Sequence, residues 1–232
     1  MVDTSDIADL DPFDLMDAES ERLHRFFTAL SEEEWTPDTR CEGWRRREIV
    51  SHLAGGDTYH TACLDDTISD LFAEGARNGA TGGDSFNAWI VNKRAEESAS
   101  ETLDEWWKLN TDVRKRMRER GRDGTMSSSV GPYPVGLMGF HLASEYATHY
   151  DDMDGPLSDD EREARTVWRD KVSRFAIKEV QKPVEIEERG DNYVVRAAGK
   201  EAKLSRYDFV EAVTARLKTI DQELQDALRA LA

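Results

Sequence analysis

His141-Leu-Ala-Ser-Glu145-Tyr-Ala-Thr-His149-Tyr-Asp-Asp152 is the stretch that decides how this chain is read. Met138, His141, Glu145, His149 and Asp152 recur in steps of three and four, with Leu142 beside them, so they share one face of a helix. An ordinary buried face would carry Leu, Ile or Val there, because an unpaired polar group inside costs on the order of 2–7 kcal/mol even when neutral. A bound cation compensates that burial: neutral imidazole nitrogens and a carboxylate oxygen are the usual ligands of zinc and its first-row neighbours. The plainer alternative is a polar stripe facing water with both histidines on the surface, and a Glu-x-x-x-His taken alone fits that alternative better.

A second stretch changes the balance: Thr36-Pro-Asp-Thr-Arg-Cys41-Glu-Gly43-Trp44-Arg-Arg-Arg-Glu-Ile49-Val50-Ser-His52-Leu53. Ile49, His52, Leu53 and Gly56 have helical spacing, which puts His52 on an apolar helix face as well. One carboxylate and two imidazoles from different helices make a three-ligand site with positions left for water or substrate, the way catalytic rather than structural sites are built.

Cys41-x-Gly43-Trp44 followed by His52-Leu53, then Glu145-x-x-x-His149-x-x-Asp152 about ninety residues later, resembles the mycothiol-dependent maleylpyruvate isomerase family within the DinB-like metalloprotein group. The likeness covers most of residues 10–153 and extends more loosely beyond. It implies a mainly α fold, with a DinB-like four-helix bundle over residues 1–155; Gly155-Pro156 marks a boundary, and the strand and helix patterns after it predict a small α+β domain over residues 156–232. It also implies a divalent metal, zinc foremost, on His52, Glu145 and His149, and a low-molecular-weight thiol such as mycothiol as cofactor. His141 departs from the pattern; it fits a fourth ligand, a partner of a ligand, or a catalytic acid/base. His60 fits the mouth of the site, although a surface or satisfied core histidine is the plainer account.

The activity so implied is that of a metal-dependent isomerase or S-transferase. In the first, a thiolate adds to a cis-enone acid, allows rotation about the former double bond and departs; in the second, it attacks an electrophile and stays attached. His141 or His60 would move protons, and Arg196, Arg206 and Arg216 are candidates to meet the carboxylates of an acidic substrate. A different class of function is a non-catalytic, metal-stabilised binding or stress-response protein, its site closed by His141. Metal-assisted hydrolysis is a third. Cys41 is read as a structural thiol in a turn, not a nucleophile, and Asp152 either as orienting a ligand imidazole or as part of an acidic surface turn.

The 232 residues are 38% apolar and carry a formal charge of −17, with 48 acidic against 31 basic side chains. Phosphate backbones and anionic membranes would be repelled, so no nucleic acid and no membrane is expected as a partner. Such an acidic surface also suits a high-salt cytoplasm. Two cysteines, Cys41 and Cys63, are too few for a disulfide scaffold, and the first twenty residues hold seven acids and no Lys or Arg, unlike a signal peptide. A cytoplasmic protein is the expectation.

Helices are predicted over about 14–30, 45–70 (interrupted or bent at Gly55-Gly56), 87–98, 101–120 with Thr102 and Glu105 as a capping box, and 159–181. Residues 75–86 read as a glycine-rich loop. His24 falls off the buried stripe and is read as solvated, and Arg114 to Arg120 as an ion-paired face. Alternation around Gly190-Asp191-Asn192 predicts a β-hairpin, extended by residues 200–204. A long helix from Ser205 follows, its stripe of Phe209, Val213, Leu217, Ile220, Leu224, Leu228 and Leu231 needing cover from the hairpin, the bundle or a second copy in a homodimer.

Overall fold

In the computed structural model, which describes residues 2–231, the chain is mainly α with a small α+β C-terminal part, as the sequence predicts. It divides into two compact units, Pro12–Gly155 and Met1–Asp11 with Pro156–Ala232, so residues 2–11 go with the C-terminal part.

In the first unit, α1 (Pro12–Ala29), α2 (Arg46–Leu64), α5 (Ala99–Arg120) and α6 (Val135–Asp152) are the long helices, with α2 packed on α5 and α1 on α6. Aromatic rings fill the centre: Phe27 stacks on Trp35 at 5.3 Å and meets Trp106 edge-on at 5.7 Å. Gly139 lets α6 approach α1, since a Cβ there would lie 3.0 Å from Pro12. Two short helices, α3 (Ile68–Arg77) and α4 (Gly83–Asn92), cover α2, and β1 (Thr125–Met126) pairs with β2 (Tyr133–Pro134) ahead of α6.

Several boundaries differ from expectation. Helix α2 runs through Gly55-Gly56 unbroken and stops at Leu64, where Asp66 takes a positive φ of 57°. The glycine-rich segment is mostly helical, because Gly75 packs: a Cβ there would lie 3.3 Å from Phe86 and Trp89. At α5 the capping box is Ser98 with Glu101, not Thr102 with Glu105; Ser98 accepts from the Glu101 N–H, while Thr102 is buried.

A polar network lies inside this unit. Asp57 of α2 accepts from Asn110 of α5 (3.0 Å) and from the Tyr146 hydroxyl of α6 (3.2 Å), while Asn110 Oδ1 accepts from Ser20 of α1 and from Arg114, both at 2.7 Å. Asp57, Asn110, Ser20 and Tyr146 are all buried. Buried polar groups persist only when so paired.

In the second unit, α7 (Asp159–Glu179), capped by Ser158 with Glu161, precedes a three-stranded antiparallel sheet of β3 (Glu185–Arg189), β4 (Asn192–Ala197) and β5 (Lys200–Ser205). Gly190, at φ 64°, opens the first two-residue turn; Ala198 and Gly199, at 52° and 73°, make the second. Tyr193, Val195 and Ala197 alternate inward. The predicted long C-terminal helix is instead two, α8 (Arg206–Val213) and α9 (Gln222–Leu228). Ala215 turns left-handed at φ 59°, the Arg216 and Leu217 N–H groups both bond back to the Glu211 carbonyl, and Asp221 caps the restart. Phe209, Val213, Leu224, Leu228 and Leu231 are buried, but Leu217 and Ile220, in the break, are not.

Two outcomes follow for the first unit. A Cβ on Gly55 would lie 2.5 Å from the buried Ile90 side chain, so Gly55→Ala should lower stability by about 1–3 kcal/mol in urea unfolding despite alanine's better helix propensity. Burial pushes the Asp57 carboxyl up to about 7 from 3.8, outweighing the bonds from Asn110 and Tyr146. A carboxyl raised in the folded state favours folding most at low pH and loses that advantage as pH rises from its unfolded value through about 7, on the order of 4 kcal/mol here. Asp57→Asn should therefore flatten the fall in stability across that interval in pH-dependent melting.

Candidate metal centre

The loop before α2 is tied at both ends. Thr39 donates from N (3.0 Å) and Oγ1 (2.8 Å) to the Trp44 carbonyl, Gly43 takes φ 78°, and Glu48 reaches back to accept from the Arg45 N–H at the helix start. The result sets the Trp44 ring 5.0 Å from that of His52. The same loop grips α6, with the Arg40 N–H on the Asp152 carbonyl (3.0 Å) and Arg40 Nε on Asp152 Oδ1 (3.1 Å).

His52 and Glu145 face each other from α2 and α6. His52 Nε2 lies 2.8 Å and His149 Nε2 3.1 Å from the same oxygen, Glu145 Oε1, and donor atoms of all three residues fall within 4.8 Å of one another. His149 is buried, and His52 and Glu145 are partly exposed. Burial pushes the Glu145 carboxyl up, but the His149 and His52 imidazoles outweigh it and hold the group well below the usual carboxylate range. For His149 burial works against the charged form, and Glu145, Asp152 and Cys41 outweigh it, raising the imidazole well above its usual value.

Asp152 is no surface turn: it is buried, and its Oδ2 lies 3.1 Å from His149 Nδ1. That contact puts the Nδ1 proton of His149 on the carboxylate and turns Nε2 toward Glu145 and His52. Cys41 Sγ donates to the same Asp152 oxygen at 3.1 Å and stands 3.8 Å from His149 Nδ1, forming with them a second cluster of ligand-type atoms. The sequence places Cys41 in a turn; the folded loop is what brings it beside His149.

The other predicted residues lie outside this cluster. His141 is outside the three-residue cluster, its Nε2 3.0 Å from the Tyr133 hydroxyl. His60 is buried two turns beyond His52, its Nδ1 3.9 Å from Asp57 Oδ1, and burial lowers its imidazole to about 4 although Glu145 and the Gly56 carbonyl favour its charge. It is therefore neutral at pH 7. Within the second unit, Arg196 is committed to Glu187 and Glu201, Arg216 bonds the Thr214 carbonyl, and Arg206 carries its charge near Asp170 and Tyr193. His24 is not simply solvated; it stacks on Trp107 at 3.9 Å.

The donor set fits a divalent ion. Two imidazole nitrogens crowd one carboxylate oxygen, and His149 already spends its Nδ1 proton on Asp152, so a second positive centre, a proton or a cation, is required between Nε2 and Oε1. Two histidines and one glutamate with a carboxylate behind one imidazole is a known catalytic-metal arrangement.

No curated protein matches the sequence. The crystal structure of the mycothiol-dependent maleylpyruvate isomerase is similar in fold, with a TM-score of 0.62 at 13% identity, covering 88% of this chain and 88% of that one. The structure of a histidine-to-alanine mutant of the mycothiol-dependent maleylpyruvate isomerase gives a TM-score of 0.52 at 12% identity, over 74% of this chain and 68% of that chain. The profile described as the mycothiol maleylpyruvate isomerase N-terminal domain matches residues 16–154, a span that holds His52, Glu145 and His149 as well as Cys41 and Asp152. With more than half of its length matched, the chain belongs to the family of that domain.

Proposed function

We propose that this chain is a metal-dependent enzyme that uses a low-molecular-weight thiol, mycothiol in the first instance, to isomerise or conjugate a small electrophilic substrate. The observation that carries the reading is the convergence of His52, Glu145 and His149 from two helices onto one point. These three residues would hold the ion, zinc foremost among the divalent metals that accept such donors. Held there, it would supply the positive charge that favours thiolate over thiol near neutral pH.

The chain's own groups do the rest. Asp152 holds the His149 ring through Nδ1, and Arg40 and Cys41 hold Asp152, so the ligand nitrogen is aimed before anything binds. His60, kept neutral by burial, would take the proton that the thiol gives up and pass it to the substrate's enol oxygen as the sulfur adds, and would carry the same proton back from that oxygen to the sulfur as the thiol departs. His141, paired with the Tyr133 hydroxyl, is the second candidate for that exchange. A non-catalytic site closed by four protein ligands would need His141 in the cluster, and its pairing with Tyr133 supports the open site instead.

Elemental analysis of freshly purified protein should find about one divalent ion per chain, and chelation should abolish thiol-dependent isomerisation of cis-enone acids while metal restores it. Glu145→Gln should lose both the ion and the activity. A metal-loaded protein inert toward every thiol and electrophile pair sinks the proposal. Asp152→Asn leaves the His149 ring in place but removes its anionic partner, and should weaken metal affinity by about 10–100-fold in competition with a chromogenic chelator.

A further inference from the structure

Gly55 and Gly56 stand side by side in the middle of α2 and differ in what surrounds them. A Cβ on Gly55 would strike Ile90, so close helix packing accounts for that glycine; a Cβ on Gly56 would meet nothing within 4 Å. A mid-helix glycine costs about 1 kcal/mol relative to alanine, and at position 56 packing gives no reason for the cost.

Location gives one. Gly56 lies one turn beyond His52, and residues one turn apart share a helix face. A helical side chain leans back over the turn N-terminal to its own Cα, so any side chain at 56 would lean toward the His52 ring, whose Nε2 meets Glu145 Oε1 at 2.8 Å. One turn further on, His60 is buried without a hydrogen bond to Asp57, its Nδ1 being 3.9 Å from the carboxylate. Around Gly56, α2 meets α6 on both sides: His52 lies 5.0 Å ring to ring from His149 and touches Glu145, and Asp57, next in sequence to Gly56, accepts from Tyr146, next to Glu145.

We propose that Gly56 is the floor of the thiol subsite: the missing side chain keeps one flank of the His52–Glu145–His149 cluster open for the sulfur and first carbons of a low-molecular-weight thiol, whose remainder runs along α2 toward His60. This rests on reading the cluster as a thiol-using metal centre. Filling the gap should therefore stabilise the helix while shutting out the ligand, and ordinary packing residues do not show that opposition.

The test uses wild type, Gly56→Ala and Gly56→Leu, each loaded with cobalt(II), assayed for metal content and titrated with 2-mercaptoethanol while the visible spectrum is followed. Metal content should be equal in all three. Thiol affinity should fall by about tenfold or more in Gly56→Leu and by a smaller factor in Gly56→Ala, whose melting temperature should rise by about 2–4 °C. Should Gly56→Leu not fold, Gly56→Ala carries the comparison alone. Thiol affinity unchanged by substitution at equal metal content overturns the subsite. If wild type ignores 2-mercaptoethanol, the thiol reading fails and azide replaces the thiol in the same titration: weaker azide binding in the variants sustains an open ligand flank, and unchanged binding overturns it. A wild type that takes up no metal, or binds neither probe, overturns both.

Discussion

One carboxylate oxygen shared by two imidazoles ties the site together. Glu145 Oε1 receives His52 from α2 and His149 from its own helix, and that junction fixes how the two helices face each other. Neither histidine would be tolerated on an inward face without such a partner. The supporting structure follows from this need: Asp152 behind His149, Arg40 and Cys41 on Asp152, and the Thr39–Trp44 turn that presents both.

Charge works under two regimes in this molecule. Across the surface, Arg118 pairs with Asp14 and Asp17, Arg116 with Asp65 and Asp112, and Lys178 with Asp3 and Asp6. Pairs of this exposed kind contribute about 0–1 kcal/mol each and yield to salt, so they moderate a net charge of −17 more than they hold the fold. At the site the contacts are less exposed to water, and the mutual attraction of Glu145 and His149 moves both far from their usual protonation behaviour against the effect of burial.

The helix faces that carry His52, Glu145 and His149 were legible because ligand-type residues occupied core spacing, and the hairpin because alternation flanked a glycine turn at Gly190. What escaped was decided locally or by tertiary contact. Ser98 and Thr102 both precede a Glu at the right interval, and burial of Thr102 selects Ser98. No proline or glycine marks the break at Ala215; a pair of N–H groups closing on the Glu211 carbonyl makes it. Cys41 and Asp152 are 111 residues apart, and only the folded loop brings them together. Likewise the two adjacent glycines of α2 are indistinguishable as letters, yet one is pressed against Ile90 and the other borders open space.

The buried network around Asp57 has a mechanical corollary. Ser20, Asp57, Asn110 and Tyr146 come one from each of the four long helices, and their bonds of 2.7–3.2 Å are directional. Sliding any helix by a single turn, about 5.4 Å, would strand several of these groups in a dry interior. Directional bonds specify that position more sharply than apolar contacts do, so the cluster acts as a keyway for the axial position of α2 against α6. The facing residues His52 and Glu145 of those helices are thus brought level by a second set of contacts in the same unit.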